Sequence, residues 1–263
     1  MSTYRKPIVV TVWDMIHEIF PDTMDPERKN TRYKQKAISG AQAILCISEN
    51  TKKDLLQMFS IPESKVFVTP LASQIDRSLS YGSEKIPERP YFLYVGSRYA
   101  YKNFNGMLGA FALVASANPD VIILVVGPPF DENEKQMISD LRIRDRIEHY
   151  GIVSDMHLAK LYRCSVAFLF PSLYEGFGIP LLEAMACGTP VVASNCSSFP
   201  EVVGNAGLLF DPKIKDELPD ILLSLLKNPA ERDRLIAKGY ERAKEFSWEK
   251  TVAQTVAVYR SLV

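Results

Sequence analysis

The chain has 263 residues, 47% of them apolar and 24% charged, which suits one large or two unequal globular domains with a core of ordinary size. Lys and Arg total 31 and Asp and Glu total 31, a formal net charge of +0, so no overall field draws the chain to nucleic acid or to an anionic membrane. Four cysteines (Cys46, Cys164, Cys187, Cys196) form no C-x-x-C pair and there are three histidines, which argues against a zinc site and for a reducing, cytoplasmic setting.

The opening residues hold no apolar run of signal-peptide length, and runs such as 121–126 have strand length, far short of a membrane span. In chain order, 8–12 is β-branched, 26–39 is polar and helical, and 43–48 is a short apolar strand. Ser48 or Asn50 is placed to cap a helix reaching about Phe59, and 65–69 is another strand. Residues 76–90, with Ser78, Ser80, Gly82, Ser83, Pro87 and Pro90, read as a connector between domains. Strands and helices then alternate regularly. Strands are expected at 91–96, 121–126, 147–150, 166–170, 190–194 and 208–210. Helices are expected from Phe104, from Glu132, over 155–162, over 179–187, from Leu218, and from Trp248 with Ser247 as its cap. Such alternation predicts an α/β fold with a doubly wound parallel sheet over 91–246, a complete Rossmann-like domain. Residues 1–75 amount to part of a second one.

Ligands of doubly wound sheets bind beyond the carboxyl ends of the strands. Two loops stand out there. After the strand at 91–96, Gly96 permits a sharp turn, and Arg98 and Lys102 approach the next helix N-terminus, a good setting for a diphosphate; as a bare spacing the two are equally solvated surface cations. After the strand at 166–170 comes Glu175-Gly-Phe-Gly-Ile-Pro-Leu-Leu-Glu183. Gly176 and Gly178 let backbone N–H groups approach a ligand, Pro180 suits a first helical turn, and Gly188 suits the helix end. From spacing alone Glu183 is either a site residue or a surface side chain. No G-x-G-x-x-G, Walker lysine loop, G-x-S-x-G or D-x-D pair is present, so two cations stand where a divalent metal would otherwise neutralise a diphosphate.

The stretch Glu175–Ser194 resembles the E-x7-E segment of the retaining glycosyltransferases of family four, enzymes of GT-B fold. Tyr94-Val-Gly-Ser-Arg98 with Lys102-Asn-Phe is similar to the family's diphosphate loop, and Tyr150-Gly-Ile-Val153-Ser-Asp to its base-binding turn. Phe199-Pro-Glu-Val-Val-Gly and 206–212 are similar too, so the resemblance covers 90–263; Thr11-Val-Trp-Asp-Met-Ile and Ile47-Ser-Glu extend it weakly. It implies a GT-B arrangement: a partial N-terminal, acceptor-side domain at 1–75, the connector at 76–90, a donor domain at 91–246, and a last helix at 247–263 crossing back onto the first domain.

By the same resemblance Glu183 accepts from the ribose hydroxyls, and Glu175 orients the transferred sugar with N–H groups around Gly176, Phe177 and Gly178, backed by Ile179, Pro180 and Leu181. Arg98 and Lys102, next to Gly96, hold the diphosphate, and Val153 and Leu158 line the base pocket. The implied reaction is hexose transfer with retention from a nucleotide-diphosphate sugar, leaning towards GDP-mannose, to a saccharide or lipid-linked acceptor. No metal or other cofactor is required, and contact is peripheral, at the inner face of a membrane. Trp13 stands where many relatives have His; Asp14 and His17 are the acceptor-side candidates. The first domain is short for a GT-B enzyme, which points to a fragment or to a sheet edge completed by a second copy. Other readings are a nucleotide-sugar-binding fragment without turnover, and a GT-B epimerase, against which Glu175–Ser194 speaks. A Rossmann oxidoreductase is disfavoured by the missing dinucleotide fingerprint.

Overall fold

A computed structural model describes residues 6–262. The first lobe is built on three short parallel strands, β1 (Val9–Val12), β2 (Ala43–Cys46) and β3 (Val66–Val68), in the order β1-β2-β3. Between β1 and β2 lie α1 (Ile16–Ile19), α2 (Pro21–Met24) and α3 (Lys29–Gly40); α4 (Glu49–Met58) joins β2 to β3. Successive β2 side chains face opposite ways. Ile44 and Cys46 pack with Val12, Met15, Ile38 and Leu55, whereas Ala43 and Leu45 pack against Val258. Ser48 caps α4, its hydroxyl accepting from Thr51 N–H at 2.9 Å.

The second lobe is a six-stranded, all-parallel sheet. Its strands and helices are β4 (Tyr91–Val95), α5 (Phe104–Ala117), β5 (Ile122–Val126), α6 (Glu132–Asp140), β6 (Ile147–Tyr150), α7 (Asp155–Cys164), β7 (Ala167–Phe170), α8 (Ile179–Cys187), β8 (Val191–Ser194), α9 (Phe199–Val203) and β9 (Leu208–Phe210). α10 (Glu217–Lys227), α11 (Pro229–Lys244) and α12 (Trp248–Arg260) follow. The order is β6-β5-β4-β7-β8-β9, so the winding reverses between β4 and β7. Strands of such a sheet are apolar without interruption because both faces are covered. Tyr91, Leu93, Ile122 and Leu124 face Leu161, Tyr162, Leu181 and Met185 of α7 and α8; Phe92, Tyr94, Ile123 and Val125 face Met107, Leu108, Phe111 and Leu222 of α5 and α10.

The stretch with a connector's composition is strapped down. Residues 77–81 form a 3-10 turn against α7, where Lys160 Nζ donates to the carbonyls of Gly82 (2.8 Å) and Glu84 (2.6 Å) and Arg163 to that of Ser80 (3.1 Å). Cations on a neighbouring helix satisfy carbonyls that its Gly- and Pro-rich backbone cannot pair internally. α12 runs over the first lobe: Val258 is buried on Ala43 and Leu45, and the Thr251 hydroxyl donates to the Pro70 carbonyl at 2.6 Å.

Candidate active site

The loops after β4 and β7 flank the reversal of winding, the place where a doubly wound sheet leaves a crevice. They meet at one contact. Lys102 Nζ lies 2.5 Å from Glu175 Oε1, with both side chains largely shielded from solvent. Ser172 Oγ donates to the same oxygen at 2.8 Å. Lys102 reaches this place because a 3-10 turn over 100–102 precedes α5, and its ammonium lies 5.2 Å from the Tyr101 ring centroid.

The Glu175 loop is held along its length. Two serines of the loop after β8 hold it: Ser197 Oγ accepts from Glu175 N–H (3.1 Å) and donates to the Glu175 carbonyl (2.5 Å), and Ser198 Oγ is shared between the carbonyls of Phe177 (2.8 Å) and Glu175 (3.1 Å). Gly176 is packed against the first lobe so closely that a Cβ there would sit 1.7 Å from the Trp13 carbonyl oxygen. Gly178, at φ 110°, caps α8 in a backbone conformation that side chains rarely adopt, and Pro180 follows in the first turn. Ile179 and Leu181 back this turn from the hydrophobic core.

One turn along α8, Glu183 sits half-buried. Burial pushes its carboxyl above the usual carboxylate range, while the Tyr162 hydroxyl, donating to Oε2 at 3.0 Å, acts in the opposite direction. Burial, with Glu183 beside it, pushes the Tyr162 phenol far up, so it stays a neutral donor. Val153 and Leu158 pack at the margin of the same core, near Tyr150.

Arg98 is engaged differently from Lys102. Its Nε lies 2.6 Å from Glu134 Oε1, its Nη2 donates to the Pro129 carbonyl at 2.7 Å, and its guanidinium lies 5.4 and 4.9 Å from the Phe104 and Phe130 ring centroids. Glu134 also completes the capping box of α6. Arg98 therefore ties the β4 loop to the start of α6, leaving Lys102 as the cation on Glu175. Gly96 ends β4 at φ 134°. Asp14 lies beside Gly176, its Oδ1 accepting from Ile16 N–H at 3.0 Å, and His17 lies in α1.

Sequence reasoning passed over several partners: Ser172, Ser197 and Ser198 around Glu175, Tyr162 beneath Glu183, and Glu134 on Arg98. Only the last had a local signal, the D-x-x-E spacing of Asp131 and Glu134. The others depend on which loops the sheet order brings together. Among the described residues no group of three or more His, Cys, Asp and Glu side chains is arranged to hold a metal ion. A hollow of about 500 Å³ lies elsewhere, between α5 and the loop after β9, and touches neither glutamate.

Fold and site together define a two-lobed α/β chain in which the Lys102–Glu175 contact lies at the switch point of the larger sheet, against the smaller lobe. The chain belongs to the family of glycosyl transferases group 1, whose model matches residues 78–242. It is 32% identical over 250 residues to an O-antigen chain mannosyltransferase B of Escherichia coli, with 89% of this chain and 66% of that protein covered. It is 34% identical over 224 residues to an MMP alpha-(1->4)-mannosyltransferase of Mycolicibacterium hassiacum, covering 84% of this chain and 54% of that one. The chain thus spans between about half and two thirds of these relatives. Among solved structures it superimposes on sucrose-phosphate synthase of Thermosynechococcus elongatus with a TM-score of 0.80 at 23% identity, over 99% of this chain and 69% of that one. It superimposes on Anabaena HepE, solved with UDP and glucose, with a TM-score of 0.77 at 20% identity, over 98% and 72%. The fold is GT-B.

Proposed function

We propose that the chain is the donor-binding part of a retaining, family-four glycosyltransferase that moves a hexose from a nucleotide-diphosphate sugar to a saccharide or lipid-linked acceptor. The Lys102–Glu175 contact at the switch point carries this reading: it sets one cation and one carboxylate side by side at the start of α8. Lys102 and the α8 N-terminus stabilise the leaving diphosphate, and Glu175 takes hydroxyls of the transferred sugar. Glu183, one turn into α8, accepts from the ribose, and Val153 and Leu158 border the base. Arg98 acts on the diphosphate indirectly, by fixing the loop that carries Lys102. Charge develops on the diphosphate as the glycosidic bond breaks, and a cation in place beforehand lowers that barrier without reorganisation. Asp14, pressed against the Glu175 loop, faces the acceptor side. The mannosyltransferase relatives support GDP-mannose as the donor.

Calorimetric titration with GDP, UDP and ADP, with and without Mg²⁺, tests the donor assignment. We expect GDP to bind tightest and Mg²⁺ to leave its affinity unchanged. Mannose transfer from GDP-mannose, with the product anomer read by NMR, tests retention. Binding of none of the three nucleotides, or an inverted product, overturns the reading.

A further inference from the structure

The first turn of α4 belongs to the small lobe, yet a residue of the large lobe completes it. A helix start leaves backbone N–H groups without helical partners. Ser48 satisfies that of Thr51. Those of Glu49 and Asn50 donate instead to the two carboxylate oxygens of Glu201 in α9, at 3.0 and 3.1 Å. No salt bridge engages this carboxylate among the described residues. Its partners across the lobe boundary are amides and the positive end of a helix, a favourable setting for an anion. Arg242 braces α9 from behind, donating to the carbonyls of Glu201 and Val202.

The same helix touches the Glu175 loop directly. Thr51 Oγ1 donates to the Gly176 carbonyl at 3.2 Å, and the Tyr174 hydroxyl donates to Asp54 Oδ2 at 2.7 Å. α9 in turn follows the segment whose Ser197 and Ser198 hydroxyls hold Glu175 and Phe177. α4 therefore grips the loop from one side through Thr51 and Asp54, and from the other through Glu201, α9 and the two serines. A closed circuit of contacts crosses the lobe boundary twice and encloses Glu175.

We infer that Glu201 is a positioning residue: by completing the α4 N-terminus it locks the small lobe onto the Glu175 loop and holds Glu175 in its working position. The inference deepens the proposed function, but its first readout does not depend on that function. Glu183 lies outside the circuit, on α8 against Tyr162 of α7, so releasing the latch spares nucleotide binding.

The test compares Glu201→Ala and Glu201→Gln in the full chain by hydrogen exchange on peptides covering 48–56, 172–179 and, as a control, 104–126. Loss of the carboxylate should speed exchange about tenfold in the first two and leave the control unchanged, with Gln, which keeps one acceptor, in between. Thr51→Val, which removes the direct bond to Gly176, should speed 172–179 even if Glu201→Ala does not fold. With GDP-mannose as donor, kcat should fall about tenfold in Glu201→Ala while GDP affinity stays within about twofold. The latch is overturned if 172–179 keeps its protection when 48–56 is released, if all three peptides loosen together, or if kcat is unchanged in an active enzyme. A wild-type chain with no turnover would instead remove the transferase reading and leave the exchange result to decide the latch.

Discussion

The two sheets of this chain are alike in construction and unlike in what they can hold. Each is parallel and covered on both faces, and each feeds its strands into helices. In the larger, the order β6-β5-β4-β7-β8-β9 reverses in the middle, and the helices after β4 and β7 leave on opposite faces. That reversal is where ligands of doubly wound sheets bind, and here the two loops are joined by the Lys102–Glu175 contact. In the smaller, β1-β2-β3 follow one another without reversal among the described residues. What the small lobe offers is contact: the Trp13 carbonyl on Gly176, the Thr51 hydroxyl on the Gly176 carbonyl, and Asp54 on Tyr174. The proposed chemistry is thus concentrated in one lobe, while the loop that carries Glu175 is held from both.

Lys102→Ala tests this division most sharply, because it removes the cation proposed for the diphosphate and leaves Glu175 without its counter-ion. Removing one preorganised donor from a developing charge costs roughly 2.7–4 kcal/mol in the transition state, or 10²–10³ in rate. We expect that loss in kcat for transfer together with a lowered melting temperature, because the shielded Glu175 carboxylate keeps the Ser172 hydroxyl but loses its counter-ion. Affinity for a nucleoside diphosphate should fall further than affinity for the bare nucleoside. Equal losses for both would take the diphosphate away from Lys102.

Much of the larger lobe was legible in the sequence because its signals are local. The apolar runs of β5 and β7 and the helical spacing of α8 carry their own boundaries, and Gly178, Pro180 and Gly188 mark where α8 starts and stops. The E-x7-E resemblance then pointed to Glu175 and Glu183. What sequence could not supply is pairing. The D-x-x-E spacing announces a helix cap at Asp131, but not that Glu134 also captures Arg98. Ser197 and Ser198 look like loop residues until β8 is placed beside β7. α1 and α2 are single turns whose identity rests on tertiary contacts, and α9 is too short to show a helical period. Phe199-Pro-Glu-Val-Val-Gly was recognisable as a segment, yet the role of Glu201 appears only when α4 is set against α9.

A smaller effect separates the two glutamates within the larger lobe. Glu175 has Lys102 to balance it, whereas among the described residues Glu183 has the Tyr162 hydroxyl alone to offset its desolvation. Tyr162→Phe removes that donor and leaves a charged, half-buried carboxylate short of partners, at a cost of about 1–3 kcal/mol at neutral pH. The sign of the pH dependence follows from the raised carboxyl. Its folded-state value lies above the unfolded one, so the folded protein takes up a proton first and the desolvation penalty is relieved as pH falls through the folded value. The deficit of Tyr162→Phe should therefore be largest near neutrality and shrink on acidification, in urea titrations run at a series of pH values. A deficit independent of pH would mean that the phenol matters for packing rather than for the carboxylate.

The smallest change tests the comparison from the side of the small lobe. Val258 in α12 is 6% exposed and packs on Ala43 and Leu45. Val258→Ala removes two methyl groups from that contact, about 1–2 kcal/mol at the usual value per buried carbon. The loss falls on β1–β3 and α12, while the six-stranded core of β4–β9 keeps every contact it had. Amides of 43–46 should exchange faster, those of 122–126 at the wild-type rate, and GDP affinity should not move. If GDP binding weakened along with the small lobe, the nucleotide site would depend on both sheets, and the assignment of the ligand crevice to the switch point of the larger one would have to be given up.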